Sequence, residues 1–217
     1  NMCYLYESKR CRTVEHINGY LVDAPNVFIQ SRGKPLTAGL PVMSKGSQPT
    51  DGGHLILSES ERTEIVAAYP KASSFIKPFV GSRDLINNDR RYCLWLKGVS
   101  PSSYRSIPAI VERLKLVARS RADSPTASVR RDAETPMLFT QIRQPDTNYL
   151  AVPEVSSQNR KYIPIGFLTP DIIASNKLFL IPEANLYMFG VMTSNVHMAW
   201  MRMVAGRLKS DYSYSPA

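Results

Sequence analysis

The chain has 217 residues, with 27 Lys+Arg against 18 Asp+Glu and a formal net charge of +9. At 43% hydrophobic and 21% charged residues, its composition excludes wholesale disorder. Three Cys are too few for a disulfide scaffold and fit a reducing, cytoplasmic setting, and no apolar run spans a bilayer.

Residues 1–12 show no clear period and are read as a loosely packed segment or the edge of a domain within a longer chain. Residues 13–217 are read as a single domain. Tyr20–Ile29 reads as extended chain interrupted at Pro25, and Ser31–Gly53 as loop by its Gly, Pro and Ser content. His54–Leu57 reads as a short strand. Ser58-Glu-Ser-Glu61 is a capping box, so a helix follows to about Tyr69, where Pro70 ends it. Ala72–Phe75 reads as a short helical stretch, and Arg91–Leu96 as a strand after an Asn-rich turn.

Ile107, Ile110, Val111, Leu114 and Val117 recur at helical spacing, which predicts one amphipathic helix from about Tyr104 to Arg121. The stretch from Arg105 to Arg131 is strongly basic and carries Arg119 and Arg121. A basic face of this kind suits a polyanion or an acidic partner. After a break at Ser124-Pro125, Val129–Glu134 reads as helix. Asn148–Val155, Tyr162–Leu168, Lys177–Ile181 and Leu186–Met192 read as strands. Thr193 or Ser194 then caps a helix to about Ala205, with Val196, Trp200 and Val204 on its apolar face and Gly206 as its stop. Trp95 and Trp200 are both read as core. The order predicts an α+β fold with a mostly antiparallel or mixed sheet and flanking helices.

No phosphate-cradling Gly loop, metal-ligand spacing or nucleophile elbow is legible. His16, His54 and His197 are scattered and read as surface or capping residues, and Cys3, Cys11 and Cys93 form no CxxC. The residues therefore point to binding. Two rivals remain on this ground: an enzyme without a visible motif, and a protein-interaction module with a basic docking face.

Nine segments in order carry a more specific signal. They are Val22-Asp-Ala-Pro-Asn-Val27, Ser31-Arg-Gly-Lys-Pro-Leu36, Gly46-Ser-Gln-Pro-Thr-Asp-Gly-Gly-His-Leu55 and Leu85-Ile-Asn-Asn-Asp-Arg-Arg-Tyr-Cys-Leu-Trp-Leu96. Gln141-Ile-Arg-Gln-Pro-Asp146, the run Val155–Leu168, Val191-Met-Thr-Ser194, His197-Met-Ala-Trp200 and Gly206-Arg-Leu-Lys-Ser-Asp-Tyr212 follow. From about Thr13 to Ser215 the chain resembles the target recognition domain of MmeI-like restriction–modification enzymes.

The resemblance implies a domain that follows an adenine-specific methyltransferase core and clamps double-stranded DNA against it. The family's cofactor, S-adenosylmethionine, and its Mg for cleavage belong to other parts of such a chain, so none is expected in these residues. The resemblance also implies Lys209 and Asp211 as paired base readers, and Lys177 and Ser213 as a second pair. A Lys donates to guanine's major-groove acceptors while an Asp accepts from the cytosine amine of the same pair. Ser213 departs from family members that carry an Arg there. Arg143, Arg160, Lys161, Arg119 and Arg121 are the phosphate candidates, since they set fixed positive charge beside hydroxyl and amide donors.

Overall fold

A computed structural model describes residues 2–8, 10–28 and 39–215. The Ser31–Leu36 motif lies outside the described residues. Contacts group the chain into two compact units, residues 1–36 and 37–216. The sequence reading places its break after Arg12 instead.

In the first unit, β1 (Cys3–Glu7) and β2 (Arg10–Val14) pair antiparallel in full register from Cys3↔Val14 to Glu7↔Arg10. Residues 3–12, in which no clear period is legible, thus hold most of a two-stranded hairpin. The alternation that specifies the pair is short: Leu5 and Val14 are buried while Tyr4 and Tyr6 are exposed. The extended run expected from Tyr20 is instead a turn built on Asn18. The Asn18 Oδ1 accepts from Tyr20 N at 2.9 Å and Val22 N at 3.3 Å, and Leu21 sits at φ 57°.

The second unit is α+β with three small sheets. Its elements run β3 (Ser44–Lys45), β4 (Ile56–Leu57), α1 (Glu59–Ala68), β5 (Ile76–Val80), α2 (Ser82–Asn87) and β6 (Arg91–Leu94). Then come α3 (Pro101–Tyr104), α4 (Pro108–Ala122), α5 (Ala127–Arg131), β7 (Tyr149–Pro153), β8 (Val155–Ser156), β9 (Gly166–Leu168), β10 (Ile173–Ala174) and β11 (Leu178–Pro182). The last are α6 (Leu186–Met192), α7 (Asn195–Val204), β12 (Gly206–Leu208) and β13 (Asp211–Ser213).

One sheet runs β10-β5-β6-β4, with only β10 and β5 parallel; the second runs β3-β11-β7-β9 and the third β12-β13-β8, both antiparallel. The first sheet carries a core of Leu55, Phe75, Phe79, Leu94, Ile110 and Leu114 with their neighbours. Strands β7 and β11 are buried on both faces. Leu150, Val152, Phe179 and Ile181 face a core shared with Met198, Met201 and Tyr212. Tyr149, Ala151, Leu178 and Leu180 face the other way, against Val80 and Leu85. This period of two explains why both strands read as continuous apolar runs.

The Ser58 capping box forms as read: Ser58 Oγ accepts from Glu61 N, and Glu61 accepts from Ser58 N at 2.8 Å. The basic amphipathic helix forms as α4, but it starts at Pro108 rather than near Tyr104, with α3 a separate turn before it. Pro108 has no N–H to give, so it begins α4 rather than lying inside a longer helix. Leu186–Met192 is helix, not strand, because Asn185 caps it by accepting from Met188 N at 2.9 Å. Ser194 caps α7 as expected, but Gly206 opens a strand.

The apolar face read on α7 is turned outward. Val196 is 78% exposed, and Trp200 and Val204 are also exposed, while Met198 and Met201 are the buried pair. Trp200 is therefore not core; Trp95 does pack on the first core, 5.1 Å edge-on to Phe139. Among the described residues no helix is long and apolar enough to cross a membrane.

Gly46 fits for a steric reason. A Cβ there would meet Ser175 O at 2.3 Å and Ala174 O at 2.7 Å. The bare backbone lets Gly46 N donate to Leu178 O and Ser47 N to Ala174 O.

Candidate functional site

The β12–β13 hairpin carries three of the four residues expected to read bases. Leu208 pairs with Asp211, which leaves Lys209-Ser210 as a two-residue turn with Lys209 at φ 56°. Lys209 is exposed at this tip. Asp211 and Ser213 share one face of β13, and Tyr212 takes the opposite, buried face. Asp211 is partly buried, and its Oδ1 accepts from Gln158 N at 3.2 Å. None of the ion pairs among the described residues joins Lys209 to Asp211, so each keeps its own direction.

The fourth, Lys177, comes from a distant part of the chain and meets the same sheet through Glu154. Lys177 Nζ lies 3.3 Å from Glu154 Oε2, and Lys45 Nζ lies 2.6 Å from Oε1. Glu154 immediately precedes β8, whose Val155 pairs with Ser213; Tyr214 N donates to Glu154 O at 2.8 Å. Lys177 and Ser213 thus flank the same segment, Glu154 N donating to Lys177 O at 3.0 Å and Val155 pairing with Ser213. A cleft of about 310 Å³ opens beside Lys177, lined among others by Arg83, Arg91 and Glu154.

Burial alone would raise the Glu154 pKa. The hydrogen bonds and charges of Lys45 and Lys177 outweigh it and hold the carboxyl below the usual range. A carboxylate made more acidic by folding stabilises the fold fully above the unfolded value of about 4.3, and that contribution is lost as pH falls through the folded pKa. Glu154→Gln should therefore flatten the loss of melting temperature on acidification below about pH 4.3. Identical acid limbs for both proteins would show that the two lysines contribute nothing to the fold. Neither Glu154 nor Lys45 is marked by a local signal, since 109 residues separate them.

Other cations are committed internally. Arg91 is clamped on the buried Asp84, through its Nε at 2.8 Å and its second amine, and lies over the Phe79 ring at 5.4 Å. Arg113 binds Glu61 and the His54 carbonyl; Lys115 lies 2.7 Å from Glu112; Arg130 donates to two carbonyls at 2.8 Å.

Arg121 corrects the sequence reading outright. It is 1% exposed. Its Nε donates to Thr50 O at 2.9 Å, one amine to Asp132 O and Thr135 O at 2.9 and 3.1 Å, and the other to Pro49 O and Leu138 O at 2.8 and 2.7 Å. All five guanidinium N–H groups are used, which leaves none for a phosphate. Within the basic stretch, then, Arg113 and Arg121 are tied into the fold, while Arg105, Lys115, Arg119, Arg130 and Arg131 remain exposed.

The remaining phosphate candidates are exposed. Arg160 and Lys161 follow the Ser157 turn beside the Asp211 contact, with Lys161 Nζ 5.3 Å over the Tyr162 ring. Arg143 is exposed, its backbone N held by Ser47 Oγ at 3.0 Å. Arg119 is exposed on α4, which packs on the first core rather than the hairpin's.

His197, read as a surface or capping residue, is partly buried. Its Nε2 lies 3.4 Å from the Tyr214 hydroxyl, and desolvation lowers its pKa.

The comparisons with known proteins agree with one another. A family model described as MmeI, target recognition domain, matches residues 23–217. DNA methyltransferase A of Bacillus subtilis (strain 168) is 39% identical over 213 residues, 98% of this chain and 24% of that protein. A solved structure of the Type IIL restriction–modification enzyme MmeI in complex with DNA matches at a TM-score of 0.84 and 40% identity, covering 99% of this chain and 29% of that one. The chain therefore spans about a quarter of the length of these relatives. It belongs to the MmeI target recognition domain family.

Proposed function

We propose that this chain reads base sequence in double-stranded DNA, as the recognition module of a longer polypeptide whose core methylates adenine. The observation that carries the reading is the chemistry gathered on the β12–β13 hairpin and the Glu154 segment beside it. A free ammonium (Lys209), a carboxylate (Asp211), a hydroxyl (Ser213) and a second ammonium (Lys177) sit on a two-stranded ribbon and its neighbour. The DNA major groove admits such a ribbon, and its base edges offer both acceptors and donors. Adding an acid lets the site accept from the cytosine amine as well as donate to guanine, so both members of one pair can be read. The likeness to a chain solved with DNA supports the same partner.

In this reading Lys209 and Asp211 share one base pair, and Lys177 and Ser213 another. Arg160, Lys161, Arg143 and Arg119 hold phosphates; Arg121 does not. S-adenosylmethionine, and Mg where the longer chain also cleaves, would be bound by the rest of that chain.

Arg160→Gln should weaken binding to all duplex sequences alike and lower the slope of log affinity against log salt by about 1. Titrations of labelled duplexes over a salt series read both quantities. A loss confined to one base position would contradict the phosphate role.

A further inference from the structure

A second face of the hairpin carries charge that nothing above uses. Arg207, on β12, lies directly across from Tyr212, with its guanidinium 4.0 Å from the ring centroid. The same guanidinium donates to Ser210 O at 3.2 Å, inside the Lys209 turn. Arg202, in the last turn of α7, also lies by the Tyr212 hydroxyl. Hydrogen bonds from Arg202 and Arg207 hold that phenol below its ordinary range.

We propose that Arg202, Arg207 and Tyr212 form a seat for one DNA phosphodiester beside the reading hairpin. The inference rests on the DNA reading above.

The placement of Arg207 across from and over Tyr212 carries it, and charge balance agrees. Glu154 answers Lys45 and Lys177, Asp84 answers Arg91, and Glu61 answers Arg113. Among the described residues no ion pair answers Arg202 or Arg207. Asp211, the nearest acid in sequence, lies on the other face of β13 and accepts from Gln158 N. Two guanidinium groups therefore converge on one neutral side chain, where an anion would complete them.

Geometry selects the kind of anion. A guanidinium fork matches phosphate oxygens in pairs, and the stack on Tyr212 pre-organises Arg207 for that contact. The phenol adds a neutral donor, as is common among backbone contacts. Place gives the seat a use: Arg207 is two residues from Lys209, so a phosphate held there would set the register of the base readers.

The test uses the 217-residue chain, a random-sequence duplex and a salt series starting at low ionic strength. Arg202→Gln and Arg207→Gln should each weaken binding about 5–10-fold for all sequences and lower the salt slope by about 1. Arg202→Lys should keep the slope. Arg202 is exposed at a helix end, so its variant keeps the fold even where loss of the Arg207 stack loosens the hairpin. An unchanged slope for Arg202→Gln, with wild type binding normally, overturns the seat and leaves the DNA reading standing. A loss confined to one base pair overturns the seat in favour of a reading role. Absence of salt-dependent binding by wild type overturns both.

Discussion

Replacing Arg121 by methionine is expected to destabilise the fold by about 3–5 kcal/mol, the largest single effect of any substitution considered. Methionine fills much of the same space but donates nothing. The carbonyls of Pro49, Thr50, Asp132, Thr135 and Leu138 would lose their shared donor. Leaving partly buried acceptors unpaired is more costly than the net worth of the bonds themselves. A domain of this kind holds only about 5–15 kcal/mol in total, so the loss is a large share. Arg121→Lys should recover little, because an ammonium cannot spread five donors over a planar fork. Urea unfolding followed by circular dichroism reads the change. A shift under about 1 kcal/mol would contradict the fastening role, since exposed ion contacts contribute that little. Enough folded Arg121→Lys protein should also bind DNA with an unchanged salt slope, which separates fastening from phosphate contact.

Much of the fold was legible where its cause is local. Ser58 and Glu61 specify the start of α1 within four residues, and Pro70 stops it. Ser194 likewise announces α7. Pro108 was equally visible, and giving it its proper weight would have started the basic helix at the right residue. Leu186–Met192 is harder: its apolar residues suit either period, and only the Asn185 cap decides for helix. On α7 apolar side chains occupy both faces, so periodicity alone could not say which one the core takes.

The site shows the same division. The Gly206–Tyr212 run marks the hairpin proposed to read bases, because its resemblance is local in sequence. Glu154 was invisible, since its meaning depends on Lys45, 109 residues away. Arg121 was misread for the same reason: its partners at Pro49 and Thr50 lie 72 and 71 residues back. A basic residue at helical spacing looks solvated until the loops that bury it are known.

The second large effect concerns what the hairpin reads. Lys209→Glu combined with Asp211→Arg reverses both charges in place. In the proposed reading Lys209 donates toward guanine acceptors and Asp211 accepts from the cytosine amine, so the exchanged pair would favour the opposite orientation of that base pair. One good contact discriminates by about 1–3 kcal/mol, so preference at that position should change by at least about 10-fold and invert. Net charge is unchanged by the double exchange, so total affinity for duplex and its salt slope should stay close to wild type. Either change alone sets two like-natured groups on one base pair and should weaken binding at that position without inverting it.

The 217-residue chain and its double variant should therefore each be offered a randomised duplex pool, and the retained sequences compared. Inversion of one G·C pair, with every other position unchanged, is the result predicted. Recovery of the same sequence by both proteins would contradict the account.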